Sequence, residues 1–534
     1  MFPIKTILNP IKRLSTLDVV LLSLMFAIMF SLTFSYPFLK TYHSLVNDAD
    51  MLSIEHIARD LNAGSNLFDW HLSTAPYLFP DILLARLIAP FSKIAHVSVY
   101  YHVIFGIILL ALVFLVCKVS KTNKLFPVLF AGTLYAFSYY RDTTGDLIAA
   151  FFGLIGFHSG IAIPILVSII CTIVFFKDKS NETIACLFLF AFVFLGMVSD
   201  SLVIISIFPI LFLFPLLAFL RKESTLQQTS KLMGVYLLAA ILGKAFGYTN
   251  PIPQDRIFMR QLFSEFPALT QKALKQFLVD FKQYSTESFV FASLFILFCV
   301  SLVLAIHHIV RVVRSKASAQ TPATLFSLFI ITAPLMTIVM TLSIGLYASI
   351  NSSRYWAVLI YLSIVLAAIM LTYKFPSSTK YYKVFLLVVM TAFVVAITKS
   401  YQKGNRVIKE TNQFSPFIAC MRENNLPVGH LYISDYWFAR PIQMHSLNDF
   451  GVVAYIGLHL YPAASNVVKT MKASPGFVIT GFSLDYKDVI NVFGPPEAEY
   501  CNMSVLGHEL KILDYSNNVQ VKEVLRSHAA NPLR

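Results

Sequence analysis

The stretch NDADMLSIEHIARDLNAGSNLFDWHLSTAPYLFPDILLARLIAPF, from Asn47 to Phe91, decides how the chain is read. It carries six acidic residues, Asp48, Asp50, Glu55, Asp60, Asp69 and Asp81, and Trp70, one of three tryptophans in the chain. Ile54, Ile57, Ala58 and Leu61 follow the spacing of one helical face, with Ser53, His56 and Asp60 opposite. That pattern predicts an amphipathic helix lying on a membrane rather than crossing it. Pro76 to Pro90 is a second apolar run, too short to span, with Asp81 and Arg86 set into it, and reads as another interfacial helix.

Outward from this loop the chain is apolar. Of 534 residues 57% are hydrophobic and only 13% charged, and the mean hydropathy is +0.69. A soluble domain has no use for that much apolar sequence, so the fold class is a mainly α, polytopic membrane protein. The net charge of +14, from 42 basic and 28 acidic residues, does not point to nucleic acid. The basic residues cluster in short turns between apolar runs, as the positive-inside rule describes.

About eleven spans are expected at roughly 20 apolar residues each. They fall at 17–39, 97–117, 124–139, 147–176, 183–199, 201–220, 231–247, 288–310, 322–348, 355–373 and 383–399. The first follows Lys5, Lys12 and Arg13, exceeds a signal-peptide core and precedes no small-residue cleavage site, so it reads as a span. The run 147–176 is long for one helix and holds Gly153, Gly156, Gly160 and Pro164, which predicts a break or a re-entrant piece. With a cytoplasmic N-terminus, the clusters Lys118/Lys121/Lys124, Lys177/Lys179, Arg221/Lys222/Lys231, Arg311/Arg314/Lys316 and Lys374/Lys380/Lys383 all fall inside. The acidic loop within 40–96, a second polar loop at 248–287, and residues 400–534 then lie outside. The expected division is a transmembrane domain, 1–399, and a small extracytoplasmic α/β domain, 400–534, where short β-rich runs appear. Cys420 and Cys501 both fall in the latter and can pair in an oxidising compartment.

Carboxylates at the mouth of a membrane domain are costly to desolvate without partners or work. Asp48 and Asp50 follow the first span directly, where a helix end can hold a general base; the alternative is that they cap the loop helix and complement its dipole. Asp142 and Asp146, in YYRDTTGD, reach the same side and either join a polar or metal site or are merely solvated. His158, in GFHSG, is a packing hydrogen-bond donor or a ligand to substrate. Asp200, between two short spans, caps the second or faces a cavity. Arg354-Tyr355-Trp356 opens a span with an aromatic belt, and its arginine suits a lipid-linked phosphate. Asp435 and Trp437 stand in Ser434-Asp435-Tyr436-Trp437. Trp70, His71 and Trp437 are candidates to line a sugar and acceptor cleft, with core burial the competing reading for Trp437. No Gly-rich phosphate loop and no Cys/His metal spacing occurs in the sequence; the carboxylates themselves admit a divalent metal.

These features together resemble the GT-C class of integral-membrane glycosyltransferases, such as protein mannosyltransferases and the aminoarabinose transferases that modify lipid A. The resemblance rests on an acidic external loop after span one, two interfacial helices, many spans and an outer C-terminal domain. Most specifically, Asp50-Met51 … Glu55-His56-Ile57-Ala58-Arg59-Asp60-Leu61 looks like their Asp-Glu … Ala-Arg loop helix. On that match Asp50 takes the place of the catalytic aspartate; Met51 stands where a Glu is common, so Asp48 stays a second candidate. Arg354-Tyr355 looks like a phosphate-binding arginine motif. The resemblance implies a transferase in a bacterial inner membrane. It would take a polyprenyl-phosphate-linked sugar within the lipid bilayer and act on a glycan, lipid or protein acceptor outside. A lipid or glycan transporter and a non-catalytic envelope assembly protein are the rival readings.

Overall fold

The computed structural model describes residues 48–139, 151–248, 266–374, 391 and 414–523, except 73–74, 76, 95, 153, 315, 344–345, 348, 429, 457–458, 461–464, 467–474 and 520–521. The expected span 17–39, all of 383–399 but residue 391, and Asp142 with Asp146 lie outside the described residues. Among those described, seven helices are long and apolar enough to cross a membrane. They are Val97–Ser120, Ser159–Lys177, Lys179–Ser199, Leu202–Leu220, Leu226–Phe246, Phe289–Val313 and Pro322–Ser343. Leu125–Ala136 and Ala357–Tyr373 are shorter apolar helices at two further expected positions. The chain is thus a helical, multi-pass architecture with a small C-terminal α/β unit.

Glycine breaks the run that looked too long for one helix. Residues 154–158 are non-helical and turn at 155–158, with Gly156 at φ +78 and His158 at φ 64, before helix resumes at Ser159. A Cβ on Gly156 would stand 2.9 Å from Ile54 Cδ1, and one on Gly160 would stand 2.5 Å from Pro80 Cδ. Only glycine lets this segment pass so close to the acidic loop.

The basic turns gather at one end of the bundle. Lys177 Nζ donates to the Val119 carbonyl at 3.1 Å and Tyr373 OH to the Ser120 carbonyl at 2.9 Å. Glu223 accepts from the N–H groups of Ala319 at 2.9 Å and Gln320 at 3.1 Å. The acidic loop, the 154–158 turns, Asp200 and Arg354 meet at the opposite end.

In the acidic loop the predicted helix forms at Ala49–Asn62, and Ile54, Ile57, Ala58 and Leu61 are buried as the spacing requires. Its polar side is covered too, by the helix Tyr436–His445 of the C-terminal unit. Glu55 accepts from Arg59 at 2.8 Å and from the Val97 N–H at 3.1 Å, closing the start of the first described span. Arg59 also donates to the carbonyls of Ala89, Ser92 and Lys93 at 3.0, 3.0 and 2.8 Å. One partly buried ion pair therefore ties the loop helix to the end of the loop. Between them, Leu83, Leu87 and Phe91 form an exposed apolar row, as expected of an interfacial segment.

The strands are β1 (Trp70–His71), β2 (Leu431–Asp435), β3 (Gly451–Ile456), β4 (His459–Leu460), β5 (Ser465–Asn466), β6 (Pro475–Ile479), β7 (Ala498–Val505) and β8 (His508–Asp514). Six make one sheet in the order β4-β3-β2-β6-β8-β7, with β2 parallel to both β3 and β6. Period-two alternation gives it two buried faces. Tyr432, Val452 and Phe477 pack on one side, while Ile433, Val453 and Val478 pack on the other. Ala49 of the loop helix belongs to the first of these cores. β1 of the acidic loop pairs antiparallel with β5, and a Cys420–Cys501 disulfide joins helix Ser415–Glu423 to β7. The loop is locked between the bundle and the sheet.

Candidate active site

The two leading carboxylates, two residues apart, have separate fates. Asp48 is the N-cap of the loop helix: its Oδ1 accepts from the N–H groups of Asp50 at 3.0 Å and Met51 at 3.2 Å. Such a cap contributes about 1 kcal/mol. Desolvation first, and the charge of Asp50 second, push the Asp48 carboxyl up to about 7.

Asp50 points away from its own helix. Its Oδ2 accepts from Arg354 Nη1 at 3.4 Å, 304 residues on, and its Oδ1 accepts from the Tyr436 hydroxyl, 386 residues on. Three parts of the chain thus converge on one carboxylate. The Arg354 and Asp50 side chains are 30% and 25% exposed, so the pair adds at most about 1 kcal/mol to stability. It stands in reach of solvent.

Arg354 is set by the short helix Ile350–Tyr355, just before Ala357–Tyr373. Its guanidinium lies 5.7 Å from the Phe157 ring centroid and 5.4 Å from that of Tyr355. Its Nε is buried and bonds no atom of the described residues. A guanidinium has five donors, and the Asp50 contact engages one nitrogen.

Next to it stands a second polar line. His158 Nδ1 donates to Asp200 Oδ2 at 2.5 Å, and His158 Nε2 lies 3.3 Å from the Tyr77 hydroxyl. The Tyr355 and His158 ring centroids are 5.0 Å apart. Asp200 does both things foreseen for it, since its Oδ1 caps the next span through the Leu202 N–H at 2.9 Å. Tyr77 is held by its N–H on the Ser199 carbonyl at 3.2 Å, and Phe79 by its N–H on Ser199 Oγ at 2.9 Å. Tyr77 at φ 53 and His158 at φ 64 both sit in the left-handed region. Side chains adopt it at a cost that the surroundings must hold in place, as at functional sites. A small cleft lies among Tyr77, Asp81, His158, Ser199 and Asp200. At its floor, Asp81 accepts from the Tyr101 hydroxyl and from the Gly156 N–H at 3.3 Å, and burial pushes its carboxyl up to about 7.

The other candidates divide. Trp70 is 1% exposed, its indole N–H donates to Asp60 Oδ2 at 3.2 Å, and His56 meets its ring edge-on, so no open face of it reaches a cleft. His71 contributes its backbone to β1. Asp435 caps helix Tyr436–His445 through the Trp437 N–H at 2.9 Å and accepts from the Ser483 N–H at 2.9 Å. Trp437 is 48% exposed and meets Tyr436 edge-on, at 5.2 Å between centroids. Sequence reading passed over Tyr436, Tyr77 and Asp81 as site residues. Tyr436 stood inside a motif already singled out, and the signal for Asp81 was a lone acid in an apolar run. Among the described residues no group of three or more His, Cys, Asp or Glu side chains is arranged to hold a metal ion.

No family model matches the chain, and no curated protein matches it. Among solved structures it is similar to the crystal structure of ArnT from Cupriavidus metallidurans bound to undecaprenyl phosphate, at 9% identity and a TM-score of 0.48 over 92% of this chain and 97% of that one.

Proposed function

We propose that this chain is a GT-C-like glycosyltransferase. It moves a sugar from a polyprenyl-phosphate donor to a glycan, lipid or protein acceptor on the outer face of a bacterial inner membrane. The observation that carries this reading is the meeting at Asp50 of a partly exposed arginine from the bundle and a tyrosine hydroxyl from the C-terminal unit. The basic turns at the far end support a cytoplasmic face there, by the positive-inside rule, and on this reading Asp50 and the C-terminal unit face outside.

In this mechanism Arg354 holds the donor phosphate through the nitrogens that Asp50 leaves open. Asp50 accepts the proton of the acceptor hydroxyl as its oxygen bonds to the anomeric carbon. The bond from that carbon to the phosphate oxygen breaks, and polyprenyl phosphate leaves with the electron pair. A single inverting displacement of this kind needs no protein nucleophile. Trp437, open on the surface beside Tyr436, offers an aromatic face to a sugar ring.

The test is sugar transfer in proteoliposomes, followed by loss of labelled sugar from a polyprenyl-phosphate donor in the presence of envelope lipids and glycans. Donor consumption that requires Asp50 and Arg354 supports the reading. Donor lipid that changes leaflet with its sugar still attached would support transport instead.

A further inference from the structure

We propose that the C-terminal unit binds a saccharide at the crevice between the ends of β2 and β6, stacked on Trp437 and Phe482, and that this saccharide is the acceptor. The inference rests on the transferase reading given above and narrows its acceptor to one that carries sugar rings.

The strand order makes the crevice. β2 and β6 are parallel neighbours, with Ser434 beside Ile479, so Asp435 and Thr480 follow at the same edge of the sheet. The chain leaves β2 into helix Tyr436–His445, whose Phe438, Ala439 and Ile442 pack on one face of the sheet. It leaves β6 for helix Tyr486–Phe493, whose Val489 packs on the other face. Parallel neighbours whose connections part to opposite faces leave an opening outside their carboxyl ends, and open α/β sheets bind ligands there.

One carboxylate sets both rims of this opening. Asp435, itself buried, accepts from the Trp437 N–H at 2.9 Å on Oδ1. On Oδ2 it accepts from the Ser483 N–H at 2.9 Å and from the Ser483 hydroxyl. Trp437 and Phe482 therefore stand on backbone tied to a single side chain, yet both are open, at 48% and 65% exposure. Phe482 is braced edge-on by His508, at 5.2 Å between ring centroids. Lys511, whose backbone pairs with Thr480, turns its ammonium to Glu499 at 2.9 Å, which suits the crevice to a neutral ligand rather than an anion. The lipid-facing row Leu83, Leu87 and Phe91 is apolar throughout, whereas here two aromatics flank a serine and a carboxylate. A sugar ring matches that mixture, with a C–H face for an aromatic and hydroxyls for the polar rim. Its place fits an acceptor. The Trp437 ring lies 5.2 Å from that of Tyr436, whose hydroxyl is on Asp50, so a ring stacked here has its neighbour beside the proposed base.

The tryptophans supply the readout. Trp70 and Trp356 are buried, so a ligand in the crevice changes the emission of Trp437. Purified full-length protein in detergent is titrated with two probes: envelope glycan freed of lipid by mild acid hydrolysis, and envelope phospholipid dispersed in the same detergent. The glycan should shift the emission to saturation, and Trp437→Phe should remove the shift. Phe482→Ala, a change at an exposed position, should weaken glycan binding about tenfold, as for the loss of one stacked ring. Phe482→Tyr should keep the affinity within twofold. In transfer assays the Phe482→Ala loss should fall on KM for the glycan acceptor, with KM for the donor within twofold of wild type.

Unchanged glycan affinity in Phe482→Ala would overturn the proposal. So would an emission shift produced by phospholipid and not by glycan, which would make the two rings a membrane contact. If transfer proceeds at an acceptor KM that Phe482→Ala does not move, this inference falls while the transferase reading stands. If the glycan binds with the expected dependence on both rings but donor sugar is never consumed, the crevice stands as a saccharide site and the transferase reading falls.

Discussion

The two ends of the helical bundle use polar residues differently. At the basic end, beside one Lys231–Glu182 ion pair near the surface, side chains satisfy backbone groups left open at helix termini. Lys177 and Tyr373 donate to carbonyls at Val119 and Ser120, and Glu223 accepts from two consecutive amides. At the acidic end, titratable side chains bond to one another: Asp50 to Arg354 and Tyr436, His158 to Asp200 and Tyr77. Bonds of the first kind hold a fold together. Side-chain networks of the second kind hold charge at the mouth of the bundle, and on the proposed function that difference is the one between scaffold and site.

The contrast is sharpened most by Asp50→Asn and Arg354→Ala. Each should lower the rate of sugar transfer by a hundredfold or more, the lower end of what a positioned base or charge contributes. Neither should alter the melting temperature by much, since the exposed pair adds at most about 1 kcal/mol. A comparable loss of stability would make the junction scaffold after all. Tyr436→Phe comes next. It removes the hydroxyl on Asp50 and keeps the ring, so about a tenfold fall in kcat is expected, with KM nearly unchanged, from one charge-assisted bond.

The acidic end should also show in stability against pH. Asp48 and Asp81 are raised to about 7 in the folded chain, while both fall near 4 once unfolded. The folded state therefore binds more protons between those values. This contribution is fully present below about pH 4 and is lost as pH rises through about 7. The apparent melting temperature in detergent should fall from pH 5 to pH 8, and Asp81→Asn should flatten that slope. Three pKa units set an upper bound of about 4 kcal/mol for Asp81. A slope unchanged in the variant would remove Asp81 from this account. The smallest effect belongs to the other end. Glu223→Gln should lower stability by about 1 kcal/mol and leave transfer within twofold of wild type.

Much of the scaffold was legible in the sequence because lipid solvation imposes long apolar runs, and nine of the described helices lie where such runs were found. Glycine spacing foretold the break before Ser159, and helical spacing the buried face of Ala49–Asn62. The candidate site was legible in part. Asp50, Arg354, His158 and Asp200 were chosen one by one, but nothing local tells which of Asp48 and Asp50 caps the helix and which faces outward. The contacts that separate them come from 304 and 386 residues away. Trp70 and Trp437 show the same limit. Both precede or follow polar residues in similar motifs, yet one is sealed beneath Asp60 and the other is open. That choice is made by tertiary packing. Tyr77 escaped notice because its importance lies in a left-handed turn against Ser199, which no periodicity announces.

The most direct test of the central claim is a structure of the full-length protein determined with a polyprenyl monophosphate. The account predicts the phosphate within about 4 Å of the Arg354 guanidinium, the range of a charge-assisted contact, with Asp50 facing the same cavity. A head group bound elsewhere, with a continuous channel running on to the basic end, would contradict it and favour transport.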